Sequence, residues 1–299
     1  MLRLFKIVPI LLVILMLTAC AAPPIEPGGI AAATGPVAQF AREIVQGSGL
    51  QVHQIITDSV SCLHDYSLSV RQMELVENSR VVLLSGAGLE ETMEDALASA
   101  PVQVDCSAGI ELHDLEGHEH HHDHVHGAGH DHSHEDDPHI WLDPLRAVQM
   151  VENICVGLTQ IYPAHRDLFR ANTDRLTARL TELDAYGKEA LAALSCRELI
   201  TFHDGFGYLA AAYDLQIVAA IEEESGSEAS AKDLTEIVHL VEAHRLPAIF
   251  TEVNGSPSAA SVIQAETGVE AYALDMAMGG SDYFDAMKYN FDTLKEALQ

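Results

Sequence analysis

The pattern that most constrains the fold is an alternation of short apolar runs and amphipathic stretches that occurs twice, once on each side of a long helical segment. Short apolar runs bounded by turn residues are typical of buried strands, and the amphipathic stretches after them are typical of crossover helices. Residues 144–194 keep a helical spacing of apolar residues, with one break at Tyr162-Pro163. The sequence therefore predicts an α/β protein of two βα lobes with parallel sheets, joined by one long rigid helix.

The alternation assigns strands and helices in both halves of the 299-residue chain, which is long enough for two hydrophobic cores. The expected strands are 50–56, 81–84, 102–104, 199–202, 217–220, 248–251 and 270–273. Strands 50–56 and 81–84 are expected to be buried and parallel. The expected helices outside 144–194 are 37–46, 70–77, 89–98, 207–213, 231–244, 258–266 and 282–298. The predicted division is a signal peptide (1–19), a lipidated Cys with its tether (20–34), an N-terminal lobe (35–143) with a histidine-rich loop (107–136), the linking helix (144–194) and a C-terminal lobe (195–299).

The N-terminus has the composition of a targeting segment. Arg3 and Lys6 precede an apolar run over residues 7–17, which is too short for a typical membrane-spanning helix. The sequence at 17–20, Leu-Thr-Ala-Cys, resembles a bacterial lipobox, which implies cleavage before Cys20 and acylation of its thiol. A plain secretory signal with an incidental Cys is the alternative. We expect an extracytoplasmic protein anchored to the cell membrane by Cys20, because two acyl chains suffice for stable anchoring.

Four further cysteines allow disulfides in an extracytoplasmic protein. The pairs Cys62–Cys106 and Cys155–Cys196 are favoured because each would lie within one half of the architecture. Free buried thiols are equally consistent with the sequence. No Cys-x-x-Cys spacing occurs, so a thiolate zinc site is disfavoured.

Charge and histidine content both point to cations. The chain has 45 Asp and Glu against 16 Lys and Arg, a formal net charge of −29, which repels nucleic acid and raises the local concentration of cations. A tract before residue 137 is rich in imidazole, the commonest protein ligand for transition metals. Its histidines are His118, His120, His121, His122, His124, His126, His130, His132 and His134. We interpret this tract as an auxiliary segment that collects metal ions.

Four side chains are candidates for a buried metal site because they follow predicted strands or lie in loops between elements: His64, His139, His203 and Asp275. Ligands of open α/β sheets bind at the carboxyl ends of strands. Three imidazoles and one carboxylate form a tetrahedral set suited to Zn²⁺. Glu252 also ends a predicted strand, and we expect it to support a ligand rather than to bind the metal itself.

Several motifs together resemble the zinc-binding solute receptors of bacterial ABC importers that have a long linking helix. The motifs that carry this resemblance are 64–66 (His-Asp-Tyr), 137–141 (Asp-Pro-His-Ile-Trp), 202–208 (Phe-His-Asp-Gly-Phe-Gly-Tyr), 228–234 (Glu-Ala-Ser-Ala-Lys-Asp-Leu) and 274–275 (Leu-Asp) with Gly279-Gly280. The resemblance implies that His64 comes from the N-terminal lobe, His139 from the segment that enters the linking helix, and His203 and Asp275 from the C-terminal lobe. The metal would lie in the cleft between the lobes. The resemblance also implies a monomer that delivers zinc to an ABC permease and has no enzymatic activity.

The sequence departs from this family at two positions. Cys62-Leu63 stand where the family often has Asp-Pro, and Met276 stands where it often has Pro, so water or another carboxylate could replace Asp275 as the fourth ligand.

Manganese receptors of the same superfamily commonly carry a carboxylate in place of His203, which favours zinc here. A metallohydrolase is disfavoured because the chain has no His-Glu-x-x-His motif. A histidine-rich zinc-storage or cell-adhesion lipoprotein is the remaining alternative.

Overall fold

The computed structural model describes residues 28–57, 63, 66–113, 136–222, 229–279 and 281–299. Within these residues the chain forms two four-stranded sheets, and every strand pair in them is parallel. The predicted fold class is therefore confirmed. In the described part of the chain, no helix is both long and apolar enough to cross a membrane.

The N-terminal lobe is built around two buried strands at the centre of its sheet. Its elements are β1 (Ile30–Ala32), α1 (Gly35–Val45), β2 (Val52–Gln54), α2 (Val70–Asn78), β3 (Val81–Leu84), α3 (Glu94–Leu97) and β4 (Gln103–Asp105). The strand order is β2-β1-β3-β4, so β1 and β3 have a strand on each side. Strand β2 is an edge strand and is only half-buried, so the expectation of a buried strand at 50–56 is wrong, whereas its parallel pairing is confirmed.

Two expectations for this lobe need correction. The tether was expected to extend to residue 34, but Ile30–Ala32 form the buried strand β1, since these residues pair with both β2 and β3. A run of three residues is too short to give a strand signal in the sequence, and only its neighbours in the sheet stabilise it. The helix expected at 89–98 is instead a 3₁₀ turn at Glu91–Met93 followed by the four-residue helix α3.

Two helices, not one, occupy the predicted linking segment. They are α4 (Pro144–Ile161) and α5 (Arg166–Ala190), separated by a 3₁₀ turn that begins at Pro163. Helix α4 belongs to the N-terminal lobe, where Gly157 lets it approach β4: a Cβ at this position would lie 2.7 Å from the Val104 side chain. The expected break at Tyr162-Pro163 is thus confirmed, because Pro163 suits the first turn of a new helix and not the interior of an old one.

Helix α5 alone makes the connection between the lobes. Its 25 residues span about 37 Å at the rise of an α-helix. Near its start, the Asn172 side chain donates to the carbonyl oxygen of Ile44 in α1. Near its end, Gly187 lies against Phe291 in the C-terminal helix, with room for no side chain between them.

The C-terminal lobe repeats the βα pattern around a second sheet of order β6-β5-β7-β8. Its elements are β5 (Glu198–His203), α6 (Gly207–Ala212), β6 (Gln216–Glu222), α7 (Ala231–His244), β7 (Ala248–Glu252), α8 (Ser258–Thr267), β8 (Glu270–Leu274) and α9 (Tyr283–Leu298). Ser230 caps α7: its hydroxyl accepts from the Asp233 backbone N–H, and the Asp233 carboxylate accepts from the Ser230 N–H. These two bonds form a capping box at the start of α7.

The cysteines of the described residues are free thiols. Cys106 and Cys155 are buried and Cys196 is partly buried, and none of the three forms a disulfide. The Cys155–Cys196 pair favoured from the sequence is therefore wrong, and so is a bond from Cys106 to Cys62, a residue that lies outside the described part of the chain. Burial raises the pKa of the Cys106 thiol well above its ordinary value, so this thiol stays protonated and behaves as a small apolar side chain.

Candidate metal site

The first half of the site lies at the carboxyl edge of the C-terminal sheet. His203 is the last residue of β5, and Glu252 is the last residue of the neighbouring parallel strand β7. Both side chains are buried, and the Glu252 carboxylate accepts a hydrogen bond from Nδ1 of His203. Because an ionised carboxylate can only accept, the proton of the imidazole is held on Nδ1 and the lone pair of Nε2 is left available.

The second half of the site lies in the turn that leads into α4. His139 is buried there, and the Asp137 carboxylate Oδ1 accepts from the His139 backbone N–H at 2.9 Å and from its Nδ1 at 2.8 Å. This bond also leaves Nε2 of the ring as the free nitrogen. Asp137 was not among the residues predicted to support a ligand. The signal in the sequence was its position two residues before a candidate ligand, because an Asp side chain often accepts a hydrogen bond from the backbone N–H two residues further on.

The two imidazoles are neighbours and are arranged edge to face. Their ring centroids are 5.4 Å apart, with the planes at 71°. The Nε2 atoms of His139 and His203 are both buried and have no hydrogen-bond partner among the described residues. A buried polar atom without a partner costs about 1–3 kcal/mol, and a metal ion that accepts both lone pairs would remove this cost.

Gly205 keeps the space in front of His203 open. A Cβ at this position would lie 2.4 Å from the His203 Nε2 and 3.0 Å from the methyl group of Met276. No side chain therefore fits between Nε2 and the loop that follows β5. Any side chain at residue 205 would therefore occupy the position next to this ring nitrogen that a ligand needs.

Asp275 follows strand β8 and is half-buried, but its carboxylate is already bonded within its own loop. Oδ1 accepts from the Ala277 N–H at 2.8 Å, and Oδ2 accepts from the Ser281 hydroxyl at 2.9 Å. In the part of the chain that the structure describes, no three His, Cys, Asp or Glu side chains form a group that could hold a metal ion. The structure thus brings His139 and His203 together, and it does not bring Asp275 into a three-residue group with them.

Three of the predicted features belong to parts of the chain that the structure does not describe. The candidate ligand His64, the lipidation residue Cys20 and the histidines of residues 118–134 lie outside the described residues. Their assigned roles remain predictions from the sequence.

The single Trp of the chain ties the His139 segment to the C-terminal lobe. Trp141 is fully buried, lies edge-on to the His139 ring with the centroids 5.4 Å apart, and donates through Nε1 to the carbonyl oxygen of Met276 at 2.8 Å. The Tyr283 hydroxyl of α9 donates to the Trp141 carbonyl oxygen at 2.7 Å. The pair of imidazoles therefore lies where the two lobes meet.

Two parallel-sheet lobes on a long helix, with paired imidazoles between them, define the class of two-lobed metal-binding receptors. Residues 30–297 match the family model described as zinc-uptake complex component A, periplasmic, and the chain belongs to this family. Members of this family are receptors for metal import, so the protein is not an enzyme.

Individual relatives agree with this assignment. The chain is 30% identical over 275 residues to the high-affinity zinc uptake system protein ZnuA of Bacillus subtilis, a match that covers 88% of this chain and 85% of the relative. A crystal structure of ZnuA superimposes with a TM-score of 0.79 at 25% identity, covering 92% of this chain and 100% of the other. The Zn(II)-bound ZnuA-like domain of Streptococcus pneumoniae AdcA gives a TM-score of 0.74 at 25% identity, covering 91% of this chain and 99% of the domain.

Proposed function

We propose that this protein captures Zn²⁺ outside the cytoplasm and delivers it to the permease of a cognate ABC importer. The observation that carries the proposal is the pair of buried imidazoles, each with Nδ1 bonded to a carboxylate and Nε2 free. Neutral imidazole nitrogens suit zinc, and a carboxylate on the second ring nitrogen is the usual support of a metal-binding histidine. The relatives described above as a zinc uptake protein and as a Zn(II)-bound domain support the same metal.

In this proposal the ligands are His64, His139 and His203, with Asp275 as the fourth. Coordination by Asp275 would have to coexist with, or replace, its bonds to Ala277 and Ser281. Water or Glu252 are the alternatives for the fourth position. Asp137 and Glu252 already bring two negative charges to the rings, which balances the charge of Zn²⁺ without a further carboxylate.

The choice of zinc over manganese rests on His203. Imidazole is a softer donor than the carboxylate that manganese prefers, and His203 is one of the two nitrogens left free for the metal. A manganese or other divalent-metal receptor is the alternative within the same superfamily. Metal analysis of the protein isolated from its own cells would separate them, and the proposal expects zinc there. Competition in vitro would not, because Zn²⁺ displaces Mn²⁺ from most nitrogen and oxygen sites.

The remaining parts of the proposal come from the sequence. Cys20 would hold a lipid anchor in the cell membrane, and the histidine tract would raise the local supply of zinc for the cleft. The protein would act as a monomer and release its ion to the integral membrane subunit of the importer. A histidine-rich storage or adhesion role for the tract is the competing function, and it requires no permease.

Substitution of the two imidazoles tests the site. We expect His139→Ala and His203→Ala each to weaken zinc binding by more than the roughly 10- to 100-fold that loss of a supporting group costs, because each removes a ligand. Competition against a chromophoric zinc chelator measures the affinity. His244→Ala is the matched control, since His244 also bonds a carboxylate, Glu198, but lies partly exposed on α7.

The outcome that contradicts the proposal is a zinc affinity in both variants equal to that of His244→Ala. Trp141 supplies a second readout, because it is the single Trp and contacts His139. Metal coordination makes the imidazole electron-poor, so we expect zinc to quench the Trp141 fluorescence in the unmodified protein and not in His139→Ala.

A further inference from the structure

The histidine-rich segment leaves the described structure at His113, and the chain returns at Asp136. Next to these ends, a backbone hydrogen bond joins the two chain segments: the Asp137 N–H donates to the His113 carbonyl oxygen at 2.8 Å. The Tyr208 hydroxyl of α6 joins the same two residues. It accepts from the His113 N–H at 3.0 Å and donates to the Asp137 carbonyl oxygen at 2.9 Å. We call His113, Asp137 and Tyr208 the neck clasp.

The rings of the neck clasp are packed against each other and against Arg146. Tyr208 is fully buried, and its ring stacks on the His113 ring with the centroids 4.5 Å apart. The Arg146 guanidinium lies over the Tyr208 ring, 4.8 Å from its centroid, and donates to Nε2 of His113 at 2.7 Å. Arg146 is fixed in turn by an ion pair with Asp143. Because the His113 Nε2 accepts this bond, His113 holds the neck and is not one of the metal-collecting histidines.

The neck clasp is joined to the metal site through one residue. Asp137 is bonded to Tyr208 through its carbonyl oxygen and to His139 through its carboxylate. Gly207 lies close to this carboxylate on the other side, since a Cβ at residue 207 would lie 2.9 Å from Asp137 Oδ2. Asp137 precedes α4, whereas Gly207 and Tyr208 begin α6 in the C-terminal lobe. The orientation of His139 is therefore set by contacts from the opposite lobe.

We propose that Tyr208 is a positioning residue for the metal ligand His139: its hydroxyl closes the neck of the histidine-rich segment and fixes Asp137, whose carboxylate fixes the imidazole. This inference rests on the proposed zinc function and adds a residue that touches neither metal nor ligand. The neck is held by Tyr208 and Arg146 whatever lies between residues 113 and 136. The geometry of the cleft thus depends on the neck clasp and not on the histidine tract.

The test removes the Tyr208 hydroxyl alone. In Tyr208→Phe the His113 N–H and the Asp137 carbonyl lose their shared partner, so we expect zinc affinity to fall by about 10-fold, the lower end for groups that support a ligand. Tyr213→Phe is the matched control, because the Tyr213 hydroxyl is buried without a hydrogen-bond partner among the described residues. The absorption spectrum of bound Co²⁺ should change in Tyr208→Phe and not in Tyr213→Phe, since it reports the ligand geometry.

A second variant guards against an effect of Tyr208→Phe on folding. Gly207→Ala keeps the hydroxyl but places a methyl group against Asp137 Oδ2, the end of a side chain that can rotate away, so the fold should persist while the His139 support is disturbed. Weaker zinc binding in both variants, at unchanged melting temperature in Gly207→Ala, supports the proposal. Zinc affinity and Co²⁺ spectrum equal to those of Tyr213→Phe in both variants overturn it. Failure of the zinc function itself is seen separately, as unchanged affinity in His203→Ala.

Discussion

At the scale of single residues, the chemistry of the site depends on which ring nitrogen carries the proton. His139 donates from Nδ1 to the Asp137 carboxylate of its own turn, and His203 donates from Nδ1 to the Glu252 carboxylate of the neighbouring strand β7. The carboxylates also make the rings better electron donors, because partial negative charge on the Nδ1 side strengthens the Nε2 lone pair. Two imidazoles oriented in this way are prepared for a metal before it arrives, so little ordering remains to oppose binding.

The same scale supplies a test of the space that the metal needs. Gly205→Ala would bring a methyl carbon to within 2.4 Å of the His203 Nε2, so we expect loss of tight zinc binding by at least about 100-fold, comparable to loss of the ligand. Isothermal titration with zinc measures this. Thermal unfolding without metal serves as the control. A variant that is folded and binds zinc with unchanged affinity would show that the metal does not approach His203 from this side.

At the scale of elements, the parallel order of β5 and β7 brings His203 next to Glu252. In the other lobe, the turn after β3 holds a second buried acid. Glu90 is buried, and its carboxylate accepts from the backbone N–H groups of Ser85 at 2.7 Å and Gly86 at 3.1 Å. Burial raises the pKa of Glu90 from 4.5 to about 7, although these hydrogen bonds oppose the shift. The turn after β3 is thus organised by an acid that changes charge near neutrality.

This pKa predicts a pH dependence of folding. Because the folded-state pKa lies above the unfolded one, the contribution of Glu90 to stability is complete below about pH 4.5 and is lost as the pH rises through about 7. The difference corresponds to about 3 kcal/mol between these limits. In Glu90→Gln we expect this part of the pH dependence to be absent. Urea unfolding in the presence of a chelator, from about pH 5 to about pH 8, measures it against the unmodified protein. Parallel curves for the two proteins would contradict the prediction.

At the scale of the whole molecule, one hydrophobic cluster extends through both lobes, and a second cluster lies within the C-terminal lobe. Buried residues of α1, α4, α5 and α9 belong to a single hydrophobic cluster. Bonds also cross between the lobes, such as the Gly35 N–H to the Met278 carbonyl oxygen at 3.0 Å and Trp141 Nε1 to the Met276 carbonyl oxygen. The lobes are therefore held as one body, which keeps the two imidazoles at a fixed distance.

Because the Asp137 N–H and the Tyr208 hydroxyl join the two chain segments next to the histidine tract, we expect the tract to be removable. Deletion of residues 114–135, which leaves His113 and Asp136 in place, should lower the number of zinc ions bound while the tightest site keeps its affinity. Equilibrium dialysis measures the stoichiometry, and chelator competition measures the affinity. As the control, Tyr208→Phe should show the opposite pattern, with the stoichiometry kept and the affinity reduced. A loss of several orders of magnitude at the tightest site on deletion would mean that the tract supplies primary ligands.

The sequence by itself determined the elements and part of the site. Apolar periodicity predicted α7 and β3 at the bounds that the structure has, because this signal acts over a few neighbouring residues. His139 and His203 were predicted as ligands because they follow a predicted strand or lie in a loop, at the edge where α/β proteins bind ligands. The structure brings the two rings together, and their role as ligands stays a prediction.

Tertiary structure alone decided how these residues are oriented. The Glu252 partner of His203 is 49 positions away, and the Tyr208 partner of Asp137 is 71 positions away. Strand β1 has three residues and is stable only between two other strands, so no local pattern could distinguish it from the tether. Such pairings depend on the strand order and on the packing of one lobe against the other. The physical reason is that local sequence controls burial and backbone preference, whereas the direction of a side chain toward a distant partner is fixed only when the sheets and helices have packed.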